Sequence, residues 1–284
     1  MRTDRTILAA TGFLLLVGGI FHVGVWLHVG GPLEGPISWR KPILFCFASG
    51  VTSISLAWLA GKLQATRWDN WLALIFGLAL LAEVGLICLQ QWRGVPSHFN
   101  RSTSFDAAVL TWIKGLVLVV TLVIAVMTVR SFGALQMTRD LALATRSGMA
   151  LLLISCLLGF VSELHGERQL LQDKSPYIYG DAGVMKFAHG MPMHAIQVLP
   201  LIAFGLSLVG LDEYRRYKSV LSASIGFWGL AAYAAIQTFS GRSRFDMTAF
   251  SAIVLIMSAC MLAVPFLTAA MTAFRRPSRT GRTS

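Results

Sequence analysis

Residues 71–91 read WLALIFGLALLAEVGLICLQQ, and this stretch decides the fold. It holds one charged residue, Glu83, and as a helix rising 1.5 Å per residue it would cross about 30 Å of hydrocarbon. Its apolar residues do not alternate with polar ones, as the strands of a membrane barrel would require. The stretch therefore predicts a transmembrane helix, which satisfies every backbone N–H and C=O group within its own segment.

Further segments of the same character predict about eight transmembrane helices, and hence an all-α, polytopic bundle with no soluble domain. We predict one transmembrane domain over residues 1–274, followed by a basic tail at 275–284. Gly, Ala and Ser recur within the segments, as close helix contacts in lipid require. The predicted spans are 7–29, 42–61, 71–91, 107–129, 147–164, 191–211, 219–239 and 247–274.

The composition supports a membrane protein. The 284 residues are 55% hydrophobic and 13% charged, which is more apolar surface than a water-soluble fold can bury. The net charge of +11 comes from basic residues scattered singly between apolar runs, so we predict membrane lipids as partners and no nucleic acid.

Lys and Arg are more numerous at the face that carries both termini. The positive-inside rule therefore predicts a plasma or inner (cell) membrane protein with both termini in the cytoplasm.

All six histidines fall at one predicted membrane face, the face opposite the termini. One interpretation is that histidine is tolerated in the longer loops of that face, and the other is that the imidazoles form a site. Three or four nitrogen and oxygen ligands would suit zinc, and two opposed imidazoles would suit haem. We predict that the metal ligands are His98, His189 and His194, and that His22 binds a cofactor.

The third span carries polar residues on one stripe. Glu83 and Gln90 are nearly two helical turns apart and therefore share a face. An ionised carboxylate near mid-membrane costs at least about 2.5 kcal/mol unless it is paired, protonated or hydrated. An ion pair with Lys114, at a comparable depth on the next span, is one alternative, and a catalytic carboxylate is the other. Glu83 is thus a candidate catalytic residue, and Gln90 a candidate cofactor-binding residue.

The third connection places a hydroxyl beside an imidazole. We interpret Ser97 and His98 as candidate catalytic residues on that ground. Thr103 and Asp106 have the spacing of a capping box at the start of the fourth predicted helix. We therefore predict that Asp106 caps this helix rather than acting in catalysis.

The longest predicted connection, residues 165–189, is expected to form a lid beside the histidines. Pro192 predicts the start of a helix, which would place His194 in the first turn and Gln197 on the same face. Gln197 is a candidate cofactor-binding residue, and an interhelical hydrogen bond is the alternative role of His194. Pro200 predicts a kink.

Residues 93–100 (RGVPSHFN) and 194–200 (HAIQVLP) resemble stretches of a group of bacterial polytopic membrane proteins. This resemblance implies a membrane fold and no particular activity. The chain also resembles, more distantly, the membrane hydrolase superfamily that contains the alkaline ceramidases. The late His-x-x-x-His of that superfamily has four intervening residues here instead of three. The residues that echo its Ser/His/Asp set and late histidine pair are Ser97, His98, Asp106, His189 and His194.

The four cysteines fall inside apolar segments and form no CxxC motif, so we interpret them as small buried apolar residues. Walker A, GxSxG and HExxH motifs do not occur in the sequence. We predict a membrane-embedded metal- or haem-binding protein, redox or hydrolytic, with its site at the outer face and a small-molecule or lipid substrate. The alternatives are a small-solute or proton-coupled transporter and a non-catalytic protein that binds lipid or a partner.

Overall fold

A computed structural model describes residues 2–274, so the basic tail predicted at 275–284 lies outside the described residues. The described chain is all-α apart from one short antiparallel hairpin, which confirms the predicted fold class. The hairpin consists of β1 (Ile178–Tyr179) and β2 (Gly183–Val184). The described helices are α1 (Thr3–Val29), α2 (Arg40–Ala60), α3 (Asp69–Trp92), α4 (Ser104–Ser131), α5 (Arg139–Leu170), α6 (Met185–Met193), α7 (Ala195–Leu208), α8 (Glu213–Phe239) and α9 (Ala249–Phe274).

Within residues 2–274, eight helical segments are long and apolar enough to cross a membrane, as the sequence predicts. The sixth segment comprises α6 and α7, which meet at His194. Large apolar side chains such as Phe13 and Leu27 are exposed on the helices, which suits contact with lipid and not with water. These features fit a multi-pass membrane protein.

The described residues divide into two compact units. The first unit comprises the chain up to Gln136 together with Glu163–Pro176. The second comprises Met137–Ser162 and the described residues from Tyr177 onward. Helix α5 therefore begins in the second unit and ends in the first.

In the first unit, α1 packs against α2 and α3, and α3 also packs against α4. Helices α1 and α2 approach each other closely, because a Cβ atom at position 12 would lie 2.7 Å from the carbonyl oxygen of Gly50. Only glycine fits at position 12. This agrees with the prediction that small residues occupy the close contacts between helices. Ile87, Val109 and Ile113 form a buried apolar cluster between α3 and α4.

A buried ion network ties the start of α3 to its neighbours. The Asp69 carboxylate accepts hydrogen bonds from Arg2, from Arg130 (Nη1–Oδ1 2.7 Å) and from the Thr66 hydroxyl (2.6 Å). Asp69 is only 7% exposed, so the two guanidinium groups compensate for its lost hydration. This network connects α1, α3 and α4 at the membrane face where α1 begins.

In the second unit, α8 packs against α6, α7 and α9. The core includes Leu151, Leu199 and Val220, all fully buried. The hairpin is attached to α8, because the Thr238 hydroxyl donates to the Val184 carbonyl oxygen at 3.1 Å. The second unit is thus a helical core with a short hairpin held on one of its helices.

The prediction of a long lid over residues 165–189 is wrong. Helix α5 continues to Leu170 and α6 begins at Met185, so most of that stretch is helix or hairpin. Charged residues such as Glu167 lie in the last turns of α5, where the polar edge of a membrane tolerates them. Pro192 lies near the end of α6 and not at the start of a helix, because the hairpin already sets the start of α6.

Candidate metal centre

Three metal-ligating side chains meet inside the first unit: His22 on α1, Cys46 on α2 and Cys88 on α3. Their ligand atoms all lie within 4.8 Å of one another. His22 and Cys46 are buried, and Cys88 is half-buried. Across residues 2–274, this is the one group of three or more His, Cys, Asp or Glu side chains so arranged. We refer to it as the His22–Cys46–Cys88 group.

The packing of three helices brings these residues together. His22 precedes the end of α1 at Val29, Cys46 follows the start of α2 at Arg40, and Cys88 precedes the end of α3 at Trp92. At 1.5 Å per residue, each lies roughly 6–11 Å along its helix from that end. Since α1, α2 and α3 pack against one another, these similar depths place the three side chains near one level.

Hydrogen bonds define the tautomer of His22. Its Nδ1 lies 2.7 Å from the Gly18 carbonyl oxygen, and because a carbonyl only accepts, Nδ1 carries the proton. The other nitrogen, Nε2, then carries no proton, and its lone pair can accept a hydrogen bond. The Trp92 indole N–H donates to this Nε2 across 3.2 Å. Both contacts indicate a neutral imidazole that is protonated at Nδ1.

Aromatic rings surround His22. The Phe21 ring lies edge-on to the imidazole with centroids 5.3 Å apart, and Trp39 and Trp92 each lie at 6.3 Å. Trp39 and Trp92 also contact each other edge to face at 5.3 Å. Trp39 is buried, whereas Trp92 is 54% exposed. Trp92, like Phe21, which is 57% exposed, can therefore move away from His22 at low packing cost.

The donor set of the group suits particular metals. Thiolates are soft ligands and select zinc, copper(I) or iron–sulfur clusters, while imidazole also suits zinc and copper. Two cysteines and one histidine form a known catalytic zinc ligand set, in which the fourth position is open to water or substrate. The group could therefore hold one such ion.

Lys114 does not pair with Glu83, so that predicted alternative is wrong. The Lys114 ammonium group instead contacts Glu163 (3.0 Å) and Glu167, near the end of α5. Within residues 2–274, Glu83 forms no hydrogen bond or ion pair, although it is only 8% exposed. The sequence indicates that Lys114 and Glu83 lie at a comparable depth in the membrane. It does not indicate that the Lys114 side chain faces α5 and not α3. The catalytic role of Glu83 stays a prediction.

The predicted helix cap is confirmed. Thr103 is the N-cap of α4, and its hydroxyl oxygen accepts from the backbone N–H of Asp106 at 3.1 Å. The Asp106 carboxylate in turn accepts from Arg93 (2.5 Å) and from the Gln90 amide (3.0 Å). Gln90 thus links α3 to the start of α4, and its cofactor-binding role stays a prediction.

Ser97 and His98 lie side by side, as predicted. Ser97 is buried, and its Oγ lies 2.9 Å from His98 Nδ1. The His98 ring faces Phe45 at a centroid distance of 5.9 Å. The hydroxyl–imidazole contact is the one a nucleophile and its base would need, but their catalytic role stays a prediction.

The remaining candidates belong to the second unit, whereas His98 belongs to the first. His189 Nδ1 donates to the Ser155 carbonyl oxygen at 2.7 Å, and the Ser155 hydroxyl donates to the His189 carbonyl oxygen at 2.6 Å. His194 is exposed where α6 ends and α7 begins, and Gln197 is half-buried in the first turn of α7. The predicted metal ligation by His98, His189 and His194, and cofactor binding by Gln197, stay predictions.

The sequence interpretation missed Cys46 and Cys88. A search for close spacing such as CxxC finds ligands on one loop, but each residue of this group comes from a different helix. The available signal was depth, because His22, Cys46 and Cys88 lie at similar distances from span ends at the same predicted face. Depth alone leaves the rotation of each helix undetermined, so it could have nominated these residues without placing them in contact.

The fold and this group together define a multi-pass helical membrane protein with a His/Cys/Cys group that could hold a metal. Comparisons of the chain with protein-family models, with curated proteins and with solved structures find no match.

Proposed function

We propose that the protein is a membrane metalloprotein that binds one zinc ion through His22, Cys46 and Cys88. The observation that carries this proposal is the meeting of three ligand atoms, from three helices, within 4.8 Å. In a tetrahedral zinc site, bond lengths of about 2.0–2.3 Å put ligand atoms roughly 3.5–3.8 Å apart. Small side-chain rotations would close the remaining gap.

Charge favours a divalent ion. Two thiolates, a neutral imidazole and a divalent cation together carry no net charge, whereas copper(I) would leave one negative charge. A net charge is costly in a buried position within a membrane span. Zinc is the divalent ion that a cysteine and histidine donor set suits best.

The hydrogen bond from His22 to Gly18 also supports the proposal. A ligating histidine commonly donates its other ring N–H to a carboxylate or a backbone carbonyl, which fixes the tautomer and the ring orientation. The contact between Nδ1 and the Gly18 carbonyl oxygen has this form. The metal would then take the Nε2 lone pair in place of the Trp92 N–H.

Three protein ligands leave one position of a tetrahedral ion for water or a small-molecule or lipid substrate. A zinc ion at this position supplies Lewis-acid chemistry, which makes hydrolysis the reaction class that the group supports best. Haem is the competing cofactor, and it would give a redox protein instead.

We further propose that the protein lies in the cell membrane with both termini in the cytoplasm, following the distribution of Lys and Arg. The His22–Cys46–Cys88 group would then lie toward the outer face. Accessibility of single engineered surface cysteines to a membrane-impermeant maleimide tests this orientation in intact cells.

Metal analysis of the detergent-purified protein, combined with its absorption spectrum, tests the function. We expect about one zinc per chain, lost in Cys46→Ser and in Cys88→Ser. Cys156→Ser and Cys260→Ser are matched controls, since neither residue belongs to the group, and both should retain the zinc. A Soret band would identify haem instead. A colourless, metal-free protein would overturn the proposal and favour the transport alternative.

A further inference from the structure

We propose that Glu83 is a proton-binding site within the membrane. Its side chain is held as the neutral carboxylic acid, and it exchanges its proton with water. This site is separate from the His22–Cys46–Cys88 group, and it does not depend on a bound metal.

Glu83 is buried within the membrane-spanning part of α3. The residue lies in the interior of α3, many residues from either end of the span, and is only 8% exposed. In the part of the chain that the structure describes, its carboxyl group makes no hydrogen bond and no ion pair. An ionised carboxylate in that position would lose its hydration with nothing to replace it, a cost that the neutral acid avoids.

The neighbouring cations are engaged elsewhere. Helix α3 packs against α1, α2 and α4. Lys114 on α4 contacts Glu163 and Glu167, and Arg130 contacts Asp69. Within residues 2–274, none of the titratable or charged side chains on these helices bonds to Glu83. On α3 itself they are Asp69 and Cys88, and on its three neighbours they are Asp4, Arg5, His22, His28, Arg40, Lys41, Cys46, Asp106, Lys114 and Arg130.

A purely structural role does not account for a carboxyl group at this position. Leucine or methionine would fill a similar volume in the span without any polar group to desolvate. Within residues 2–274 the Glu83 carboxyl group bonds to no other side chain. It therefore makes no contact between helices that requires an acid. The property that distinguishes it from an apolar residue of similar size is its capacity to take up and release a proton.

Infrared difference spectroscopy of the purified protein in lipid tests the site. The C=O stretch of a protonated carboxylic acid is separate from the carboxylate bands, and it shifts when deuterium replaces the exchangeable proton. We expect the spectrum of the wild type minus that of Glu83→Gln to show an acid band at neutral pH that shifts in D₂O. Glu167→Gln is the matched control, and it should remove carboxylate bands only, because Glu167 pairs with both Lys114 and Arg101.

A difference spectrum of Glu83→Gln that contains only carboxylate bands would overturn the proposal. An acid band that does not shift in D₂O would overturn it as well, because the proton would then not exchange. Glutamine is nearly isosteric with the neutral acid, so the variant should fold. Glu83→Met gives a second reference spectrum in which no new amide band appears.

Discussion

The Trp92 indole nitrogen donates a hydrogen bond to Nε2 of His22 across 3.2 Å, although the two residues lie 70 positions apart in the chain. This bond occupies the lone pair that a metal would need. Trp92 is more than half exposed, so its ring can leave without opening the core of the first unit. Metal binding and the position of Trp92 should therefore be linked.

Trp92→Phe should strengthen zinc binding, because the variant keeps an aromatic ring but loses the competing N–H donor. A neutral hydrogen bond contributes about 0.5–1.5 kcal/mol, so we expect the dissociation constant for zinc to fall roughly 2- to 10-fold. Competition with a chromogenic chelator measures the change. Trp112→Phe, at an exposed position on α4, is the control and should leave the constant unchanged. Weaker zinc binding by Trp92→Phe would contradict the proposal that the metal replaces the Trp92 N–H at Nε2 of His22.

Zinc should protect Cys46 and Cys88 from oxidation. After removal of zinc by a chelator, diamide should take two electrons and two protons from the thiols and leave a Cys46–Cys88 disulfide, since both Sγ atoms belong to one close group. Peptide mapping by mass spectrometry detects the product. Zinc-loaded protein should not form it. Equal disulfide yields with and without zinc would show that the ion does not bind these thiols.

Gly166→Ala should destabilise the protein, chiefly through a clash with the Phe99 ring. A Cβ atom at position 166 on α5 would lie 2.3 Å from Cζ of Phe99, which itself has a positive φ of 60°. Overpacking of this kind costs about 1–3 kcal/mol. Thermal unfolding in detergent should show a lower midpoint for Gly166→Ala. In the Phe99→Ala background the same change should lower the midpoint much less. If the two substitutions instead lower the midpoint additively, the clash with Phe99 is excluded.

Asp69→Asn should also lower the unfolding temperature. The substitution removes the charge that Arg2 and Arg130 share, and hydrogen bonds to charged groups contribute about 1.5–3 kcal/mol. The partial exposure of both arginines places the expected cost toward the lower part of that range. Asp181→Asn, at an exposed position, is the control and should unfold like the wild type. An unchanged midpoint for Asp69→Asn would mean that the network is not stabilising.

Hydropathy was sufficient to predict the helices, because lipid accepts long apolar segments only in that form. The predicted span 71–91 agrees with α3 (Asp69–Trp92) within two residues at either end. The beginning of the sixth span was predicted less well. Pro192 was interpreted as a sign that the helix starts near residue 191, whereas α6 starts at Met185, directly after the hairpin strand that ends at Val184. Polar residues near the membrane edge were interpreted as loop although α5 continues through them.

The candidate metal centre was only partly predictable, because sequence gives the depth of a residue in a span but not the direction it faces. Lys114 was at the right depth to meet Glu83, yet it contacts Glu163 and Glu167. His22 was identified as a candidate binding residue, whereas the cysteines beside it were interpreted as apolar. Only the packing of α1, α2 and α3 shows that they face one another.

X-ray absorption at the zinc edge tests the central claim most directly, because it reports the ligands of the bound ion itself. For the zinc-loaded protein we expect two sulfur neighbours at about 2.3 Å and a histidine nitrogen at about 2.0–2.1 Å. Zinc surrounded by nitrogen and oxygen alone would contradict binding at His22, Cys46 and Cys88.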